Sequence, residues 1–267
     1  MNQVRSLILP VAGLGKRLYP LTLKTPKALI KANGKTLIEY VLEETRGTSI
    51  KRAVLVINPI QKDFFRKHLA QFQKKFKHLQ FFLRTQDAPL GTRDAILPAE
   101  DLIKKEPFGL RFCDDIFYVD ESVTKSLLNS FSKLNSSILI LRRIPKNKVS
   151  RFGVVAAEKL KSNPQIYRIS KIIEKPKQKD APSNLVIMGA YILLPSILKQ
   201  MKFLKRAKGG FLTNDCLPIT DGFEREIKSR GKIFGLEFSG EYLDCGTIES
   251  LDKASRFLAN HRNFGVK

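Results

Sequence analysis

The sequence predicts an α/β fold with a largely parallel sheet, because buried strands and amphipathic helices alternate along the chain. Short apolar runs typical of buried strands occur at residues 7–11 and 53–57. Segments 36–45 and 62–77 carry apolar residues at helical spacing. No internal repeat or low-complexity linker interrupts this alternation. We therefore expect the 267 residues to form one core rather than several separate domains.

The composition narrows the class of protein. Apolar residues make up 43% and charged residues 27% of the chain, which is typical of a soluble globular protein. No apolar stretch approaches the ~18 to 20 residues that a membrane helix needs, so we expect no membrane partner. The three cysteines are odd in number and scattered, which favours reduced thiols in a cytoplasm. No Cys/His group has the spacing of a zinc site.

The net charge of +23 is unusual, with 48 Lys and Arg residues against 25 Asp and Glu residues. Such an excess raises the local concentration of anions and favours phosphorylated substrates or acidic surfaces. Nucleic-acid binding is an alternative, but the positive charge is spread along the chain rather than clustered. We expect no specific nucleic-acid partner.

A glycine-containing basic loop follows the first predicted strand and reads Ala12-Gly13-Leu14-Gly15-Lys16-Arg17. Glycine lets backbone N–H groups approach a polyphosphate, and Arg17 and Lys27 would neutralise its charge. Two common phosphate motifs are excluded, because Leu18 replaces the third glycine of G-x-G-x-x-G and Leu29 replaces the first glycine of a Walker A loop. On spacing alone, the segment could equally be a turn with surface cations.

Polar residues follow several later strands. An amide side chain, Gln86, and Gly91 come after the strand at 79–83, and an amide can both donate to and accept from a pyrimidine edge. Adjacent acids, Asp114 and Asp115, follow the strand at 108–112, and α/β folds bind their ligands at the carboxyl ends of strands. Each of these segments alone is also compatible with an ordinary polar turn.

In this order, the segments resemble the signature of the sugar-phosphate nucleotidyltransferases, enzymes that make nucleoside-diphosphate sugars. The resemblance covers essentially residues 7–258 and rests on five motifs: the G-x-G-x-R loop Gly13–Arg17 with Pro26-Lys27, Gln86 with Gly91, Asp114, Glu174-Lys175-Pro176, and Asp244 before Gly246-Thr247. It implies a Rossmann-like mixed, largely parallel sheet flanked by helices, which is the GT-A-like nucleotidyltransferase fold. It also implies a single domain, 1–267, with a nucleotide-binding half at about 1–125 and a sugar-phosphate-binding half at 126–267.

The resemblance assigns a role to each motif. Nucleotide-binding residues would be Ala12, Gly13, Leu14, Gly15, Gln86 and Gly91, and the catalytic cations would be Arg17, Lys27 and Lys175. The sugar 1-phosphate would be bound through its hydroxyls by Glu174 and Gly189 and through its phosphate by Lys175. The two acids Asp114 and Asp244 would hold Mg²⁺, which proteins usually bind through one or two carboxylates together with substrate phosphates.

The implied reaction joins a nucleoside triphosphate to a sugar 1-phosphate and releases pyrophosphate. No general base is needed, because a phosphate monoester with a second pKa of about 6 is already ionised at neutral pH. The bacterial UTP–glucose-1-phosphate uridylyltransferases are the most similar branch, and UTP and glucose 1-phosphate are the expected substrates. Thymidylyltransferases that use dTTP are the first alternative.

A non-catalytic relative that binds a nucleotide sugar is an alternative of another class. Two departures from the family pattern keep it open, Arg93 and the altered loop 209–215, and Asp94 beside Arg93 is a further departure in the base-reading segment. The sequence does not decide between a monomer and a homo-oligomer.

Overall fold

The computed structural model describes residues 3–87, 91–103, 105–207 and 218–261. The strands of this part of the chain are β1 (Ser6–Pro10), β2 (Lys31–Ala32), β3 (Lys35–Thr36), β4 (Arg52–Ile57), β5 (Gln80–Thr85), β6 (Phe108–Arg111), β7 (Asp115–Tyr118), β8 (Ser137–Arg143), β9 (Gly153–Leu160), β10 (Asn163–Glu174), β11 (Leu185–Leu193), β12 (Ile233–Glu237) and β13 (Glu241–Asp244). The α-helices are α1 (Leu21–Lys24), α2 (Leu37–Glu43), α3 (Lys62–Lys75), α4 (Glu100–Ile103), α5 (Val123–Leu134), α6 (Ser196–Ala207), α7 (Thr220–Lys228) and α8 (Ile248–Asn260).

One mixed sheet forms the centre of the molecule, with the strand order β5-β4-β1-β6-β11-β8-β12-β10-β9. The first four of these strands are parallel, and β12 is parallel to β8. Antiparallel pairs surround β11, which lies between β6 and β8, and β10, which lies between β12 and β9. The parallel strands β1, β4 and β5 are joined through α2 and α3, whereas two residues, Lys161 and Ser162, join the antiparallel pair β9 and β10.

Apolar side chains cover both faces of the sheet. In β1, Leu7 and Leu9 belong to one buried cluster and Ile8 to another, as the alternation of a strand requires. The cluster of Leu7 includes buried residues of α2, α3 and α8. The cluster of Ile8 includes Ile197 of α6 and Phe223 of α7. Burial on both faces explains why β1 reads as an unbroken apolar run.

The end of the described chain returns to its beginning. Strand β13 pairs antiparallel with β7, and α8 packs against β13 and β2. Three residues of α8, Leu251, Ala254 and Leu258, are buried in the same cluster as Leu7. Residues beyond 240 therefore contribute to the core of the first half, and the division near residue 125 stays a prediction.

Two further sequence expectations concern membranes and thiols. Across the described ranges, every helix is too short or too polar to cross a bilayer. Cys113 and Cys245 are free thiols in buried positions. Cys216 lies outside the described residues.

Candidate active site

The loop after β1 opens onto the surface and is shaped by Gly15. This glycine has a φ of +63°, in the left-handed region, and its carbonyl accepts a hydrogen bond of 2.9 Å from Thr22 Oγ1. A Cβ atom here would lie 2.9 Å from Thr22 Cγ2 and 3.2 Å from Lys27 Cβ. Glycine is therefore required at position 15 for two reasons: its φ is left-handed, and a side chain there would crowd Thr22 and Lys27. The stem of Lys27 therefore packs beside this loop, and its role in binding phosphate stays a prediction.

The other residues of this loop differ in exposure. Ala12 is buried, whereas Gly13 and Leu14 are exposed. A Cβ atom at Gly13 would meet nothing within 4 Å. The backbone at Gly13 is thus accessible to a ligand approaching from the solvent.

Lys27 and Asp114 form an ion pair between their Nζ and Oδ2 atoms, although 87 positions separate them in the sequence. Lys27 begins the 3₁₀ turn Lys27–Leu29, and Asp114 lies between β6 and β7. Both side chains are partly exposed, at 19% and 28%. The pair therefore lies at the surface of the site rather than in the core.

Asp244 is the last residue of β13, which pairs with β7 in a two-stranded sheet. It therefore lies at the end of that sheet where β7 begins, next to Asp114. Its register partner is Asp115, and the N–H of Cys245 donates to the carbonyl of Asp114 at 2.9 Å. A Cβ atom at Gly246 would lie 2.8 Å from Asp244 Oδ1 and 3.0 Å from Arg17 Nη2. The structure thus brings the predicted residues Arg17, Lys27, Asp114 and Asp244 to one location.

The pKa of the buried Cys245 thiol shows that two carboxylates lie nearby. Burial, followed by the negative charges of Asp114 and Asp244, raises its pKa to about 12. Both carboxylates are therefore close enough to influence the same buried group.

The second acid of the pair, Asp115, has a different environment. Its Oδ1 accepts a hydrogen bond of 2.6 Å from the hydroxyl of Tyr242, and its Oδ2 accepts one of 2.8 Å from the N–H of Gly189. Burial, together with the neighbouring charge of Asp114, raises the pKa of Asp115 to about 7. Through its two hydrogen bonds, Asp115 connects β7 to both β11 and β13.

These contacts explain why residue 189 is glycine. A Cβ atom there would lie 2.2 Å from Asp115 Oδ2. The N–H of Gly189 bonds to Asp115, and its carbonyl accepts a bond of 2.9 Å from the N–H of Phe112. The backbone groups of Gly189 are thus already paired within the protein, and its role in sugar binding stays a prediction.

Glu174 and Lys175 lie together at the end of β10. Lys175 has a φ of +43°, its side chain is 65% exposed, and its Nζ lies 3.9 Å from Glu174 Oε1. The other carboxylate oxygen, Oε2, accepts a hydrogen bond of 2.9 Å from Thr220 Oγ1. This places an exposed cation beside a carboxylate that is partly fixed.

The predicted base-reading segment follows β5. The side-chain amide of Gln86 is buried and donates to the carbonyl of Gly91 at 3.1 Å. Gly91 has a φ of +103°, which favours glycine. Residues 88–90 between them lie outside the described part of the chain, as does the altered loop 209–215.

Arg93 and Asp94, the two departures from the family pattern, are buried. Arg93 Nη2 lies 3.5 Å from Asp94 Oδ1. Arg93 Nε and Nη1 and both Asp94 oxygens have no hydrogen-bond partner in the described structure. These side chains therefore form an internal ion pair next to the predicted base-reading segment.

Comparisons with known proteins identify the family of this chain. The sequence profile of the Nucleotidyl transferase family matches residues 6–261. The chain belongs to this family. The UTP–glucose-1-phosphate uridylyltransferase of Mycoplasma genitalium is 28% identical, over 100% of this chain and 96% of that protein. The corresponding enzyme of Pseudomonas aeruginosa is 27% identical over 95% of each chain.

A solved structure supports the same conclusion. The crystal structure of a UDP-glucose pyrophosphorylase complexed with UDP-glucose matches with a TM-score of 0.85 and 30% identity, over 97% of this chain and 100% of that one. The resemblance and the nucleotidyltransferase fold that the sequence predicts are thereby confirmed.

The acids of this nucleotidyl transferase can be tested for their fit to Mg²⁺. Within the described ranges, no group of three or more His, Cys, Asp or Glu side chains is arranged to hold a metal by itself. Asp114 and Asp244 supply hard oxygen ligands at one edge, and Asp114 already pairs with a cation, that of Lys27. Mg²⁺ commonly takes one or two carboxylates and completes its shell with phosphates and water. The two carboxylates fit such a shared site.

Sequence reasoning missed two residues that lie against Glu174, namely Gly153 and Thr220. A Cβ atom at Gly153 would lie 3.0 Å from Thr220 Cγ2 and 3.2 Å from Glu174 Oε2. The only available signal for Gly153 was a glycine directly before the apolar pair Val154 and Val155. Nothing near Thr220 in the sequence connects it with Glu174, which lies 46 positions earlier.

Proposed function

We propose that this nucleotidyl transferase joins UTP to glucose 1-phosphate, forming UDP-glucose and releasing pyrophosphate. The observation that carries the proposal is the cluster of Arg17, Lys27, Asp114 and Asp244 beside the exposed loop after β1. This cluster combines cations for two phosphorylated substrates with carboxylates for a metal. Full-length similarity to uridylyltransferases supports the choice of UTP and glucose 1-phosphate.

The bond changes need no activated side chain. A phosphate oxygen of the sugar 1-phosphate attacks the α-phosphorus of UTP, and the bond from that phosphorus to the bridging oxygen breaks. Pyrophosphate leaves with the electron pair. Because the attacking phosphate is already ionised at neutral pH, the protein has to align two polyanions and neutralise their repulsion.

The cations divide this task between the two substrates. We assign Arg17 to the leaving pyrophosphate and Lys27 to the transferring phosphates, since both lie at the loop after β1. We assign Lys175 to the phosphate of the sugar, since it is exposed and next to Glu174. Lys27 pairs with Asp114, and this contact keeps its ammonium within the cluster.

Backbone groups and neutral side chains would supply the remaining contacts of the nucleotide. The N–H groups of the segment Ala12–Gly15 can face phosphate, and Gln86 and Gly91 can face the base. Gln86 donates one of its two amide N–H groups to Gly91, which leaves the second N–H and the carbonyl oxygen for a uracil edge. Glu174 would accept a hydrogen bond from a sugar hydroxyl, with Gly189 lining the same site.

Asp114 and Asp244 would hold Mg²⁺. When bound there, the metal would neutralise charge on the phosphates of both substrates. The cytoplasm remains the predicted location, supported by the free thiols of Cys113 and Cys245.

A substrate panel tests the proposal. UTP, dTTP, CTP and ATP are each combined with glucose 1-phosphate and galactose 1-phosphate in the presence of Mg²⁺, and pyrophosphate release is measured. UTP with glucose 1-phosphate should give the highest kcat/KM. A higher kcat/KM for dTTP than for UTP would contradict this choice and indicate a thymidylyltransferase. If no pair of substrates releases pyrophosphate, the non-catalytic alternative is favoured.

A further inference from the structure

We propose that Thr220 is a positioning residue that holds the carboxylate of Glu174 in the orientation needed to bind a sugar hydroxyl. This inference rests on the proposed function, in which Glu174 contacts the sugar. The direct observation is the 2.9 Å hydrogen bond from Thr220 Oγ1 to Glu174 Oε2. Thr220 is only 6% exposed, whereas the side chain of Glu174 is 28% exposed. A buried donor therefore holds an accessible acceptor.

Helix α7 fixes the position of Thr220. Thr220 is its first residue, and Glu224 follows one turn later. Residues four positions apart lie on the same face of a helix. Glu224 Oε2 accepts a hydrogen bond of 2.8 Å from the N–H of Ile172, two residues before Glu174 on β10. Helix α7 is thus bonded to the same strand end at two points.

The first turn of α7 is also held from its other side. The N–H of Ile219, immediately before Thr220, donates to Thr92 Oγ1 at 3.1 Å. Thr92 follows Gly91 in the predicted base-reading segment. The backbone that carries Thr220 is therefore fixed between the two predicted substrate regions.

Gly153 on β9 leaves room for the methyl group of Thr220. Gly153 is the register partner of Glu174, and a Cβ atom on it would lie 3.0 Å from Thr220 Cγ2. The methyl of Thr220 therefore packs over the space left by glycine while its hydroxyl points to Glu174. Because threonine is restricted at χ1, packing of the methyl also keeps the hydroxyl directed at the carboxylate.

This arrangement leaves one carboxylate oxygen for the substrate. Oε2 is taken by Thr220, and Oε1 lies 3.9 Å from the Nζ of Lys175. The terminal torsion of glutamate is broad, so an unrestrained carboxylate would rotate between many orientations. Thr220 removes much of that freedom before the sugar arrives, which improves binding by preorganisation.

Kinetics of two variants test the role. Thr220→Val keeps the shape and methyl but removes the donor, and Thr220→Ser keeps the donor. We expect Thr220→Val to raise the KM for glucose 1-phosphate roughly tenfold, the effect of one hydrogen bond to a charged group. Its KM for UTP should change less than about twofold. Thr220→Ser should recover most of the loss. A general structural defect would change the KM of both substrates, and Ser would not selectively repair one of them.

A double-mutant cycle with Glu174→Gln separates the possible outcomes. If Thr220 acts through Glu174, Thr220→Val adds little to the KM for glucose 1-phosphate in the Glu174→Gln background. Equal effects in both backgrounds would overturn the positioning role. A raised KM in Glu174→Gln with a normal KM in Thr220→Val would overturn that role alone. A normal KM in Glu174→Gln would overturn the assignment of Glu174 itself, and thus part of the proposed function. Thr220→Ala replaces Thr220→Val in the cycle if the valine variant does not melt cooperatively.

Discussion

Asp114 and Asp115 are neighbours in the sequence, yet their side-chain partners differ. Asp114 is partly exposed and pairs with Lys27. Asp115 is also partly buried, but it accepts hydrogen bonds from Tyr242 and Gly189. The difference arises from the pairing of β7 with β13, which makes Asp115 the first paired residue of β7 and leaves Asp114 just outside the strand. One acid is therefore available to ligands, and the other stabilises the site.

Replacing Asp114 by Asn should stop catalysis without unfolding the protein. The substitution keeps the shape but removes a negative ligand of the proposed metal, so turnover should fall by orders of magnitude, roughly 10²-fold or more. Folding should survive, because the ion pair with Lys27 is partly exposed and such pairs contribute little to stability. Turnover against Mg²⁺ concentration and a thermal melt measure the two effects. Near-normal turnover would contradict the assignment of Asp114 to the metal.

Replacing Asp115 by Ala should instead destabilise the protein. The change leaves the hydroxyl of Tyr242 and the N–H of Gly189 without their acceptor in a partly buried place. Each unpaired donor costs about 1–3 kcal/mol of unfolding free energy. A fall of several degrees in Tm should follow, measured by thermal melting beside Asp114→Asn as the matched control. Equal Tm values for the two variants would show that the contacts of Asp115 are not structural.

Lys175→Ala should selectively weaken the use of the sugar 1-phosphate. The side chain is 65% exposed, so folding should not depend on it. Losing one charge-assisted contact should raise the KM for glucose 1-phosphate roughly tenfold to a hundredfold and leave that for UTP nearly unchanged. Lys177→Ala, which removes another exposed lysine two residues later, is the control. Equal losses for both substrates would argue against the assignment.

At the scale of elements, Glu39 connects two helices of the first half. Its carboxylate accepts hydrogen bonds of 2.8 Å from the N–H and the hydroxyl of Thr36, forming a capping box at the start of α2. It also accepts a bond of 2.7 Å from Lys75 at the end of α3. Burial tends to raise the pKa of Glu39, but the bonds from Lys75 and Thr36 together outweigh it and lower the pKa below its ordinary value of 4.5.

This lowered pKa predicts how Glu39→Gln depends on pH. A carboxyl whose pKa is lower in the folded state stabilises the protein above its unfolded pKa, and that stability disappears as the pH falls through the folded value. Glu39→Gln should therefore lower Tm at pH near 7, and the difference from the parent should shrink in acid. Melting curves across this range give the test, with Glu249→Gln, in an exposed pair with Lys253, as a control of little effect. A Tm difference that does not change with pH would exclude the charge as its source.

Elements differ in how well the sequence predicts them. The helix expected at 36–45 is α2, and the buried strands β1 and β4 match their apolar runs within about a residue. β10 has no continuous apolar signal, because exposed residues separate its buried positions Ile166, Ile169 and Ile172. α7 has no strong signal, since it is short and contains Gly222 near its start. The failure to predict α7 is why Thr220 was missed.

At the scale of the molecule, the site depends on residues that are distant in the chain. Motif order and the rule for strand ends predict that Lys27, Asp114 and Asp244 converge, and the structure brings them together. The family resemblance assigned only Asp114 to the metal, but nothing in the sequence showed that Asp115 bonds to Tyr242 and Gly189. The sequence also could not show that Arg93 and Asp94 turn inward, because side-chain partners are set by packing between distant segments.

The net charge of +23 yields a prediction for the whole protein. A strongly positive surface attracts UTP and the sugar phosphate before they reach the site, and salt screens this attraction. Raising the ionic strength from about 0.01 M to about 0.15 M shortens the screening length from about 30 Å to about 8 Å. We therefore expect kcat/KM for both substrates to fall over this range while kcat changes less, since steering precedes the chemical step.

The measurement is steady-state kinetics at constant free Mg²⁺, with sucrose at matched osmolarity as the control for effects other than screening. Lys177 and Lys179, which line a cleft with Lys146, offer a second control. Reversing the charges of Lys177 and Lys179 to Glu lowers the net charge without touching the proposed catalytic cations, and the dependence of kcat/KM on salt should become shallower. If kcat/KM is the same at both salt concentrations, the excess charge does not guide the substrates, and contacts within the site alone determine their capture.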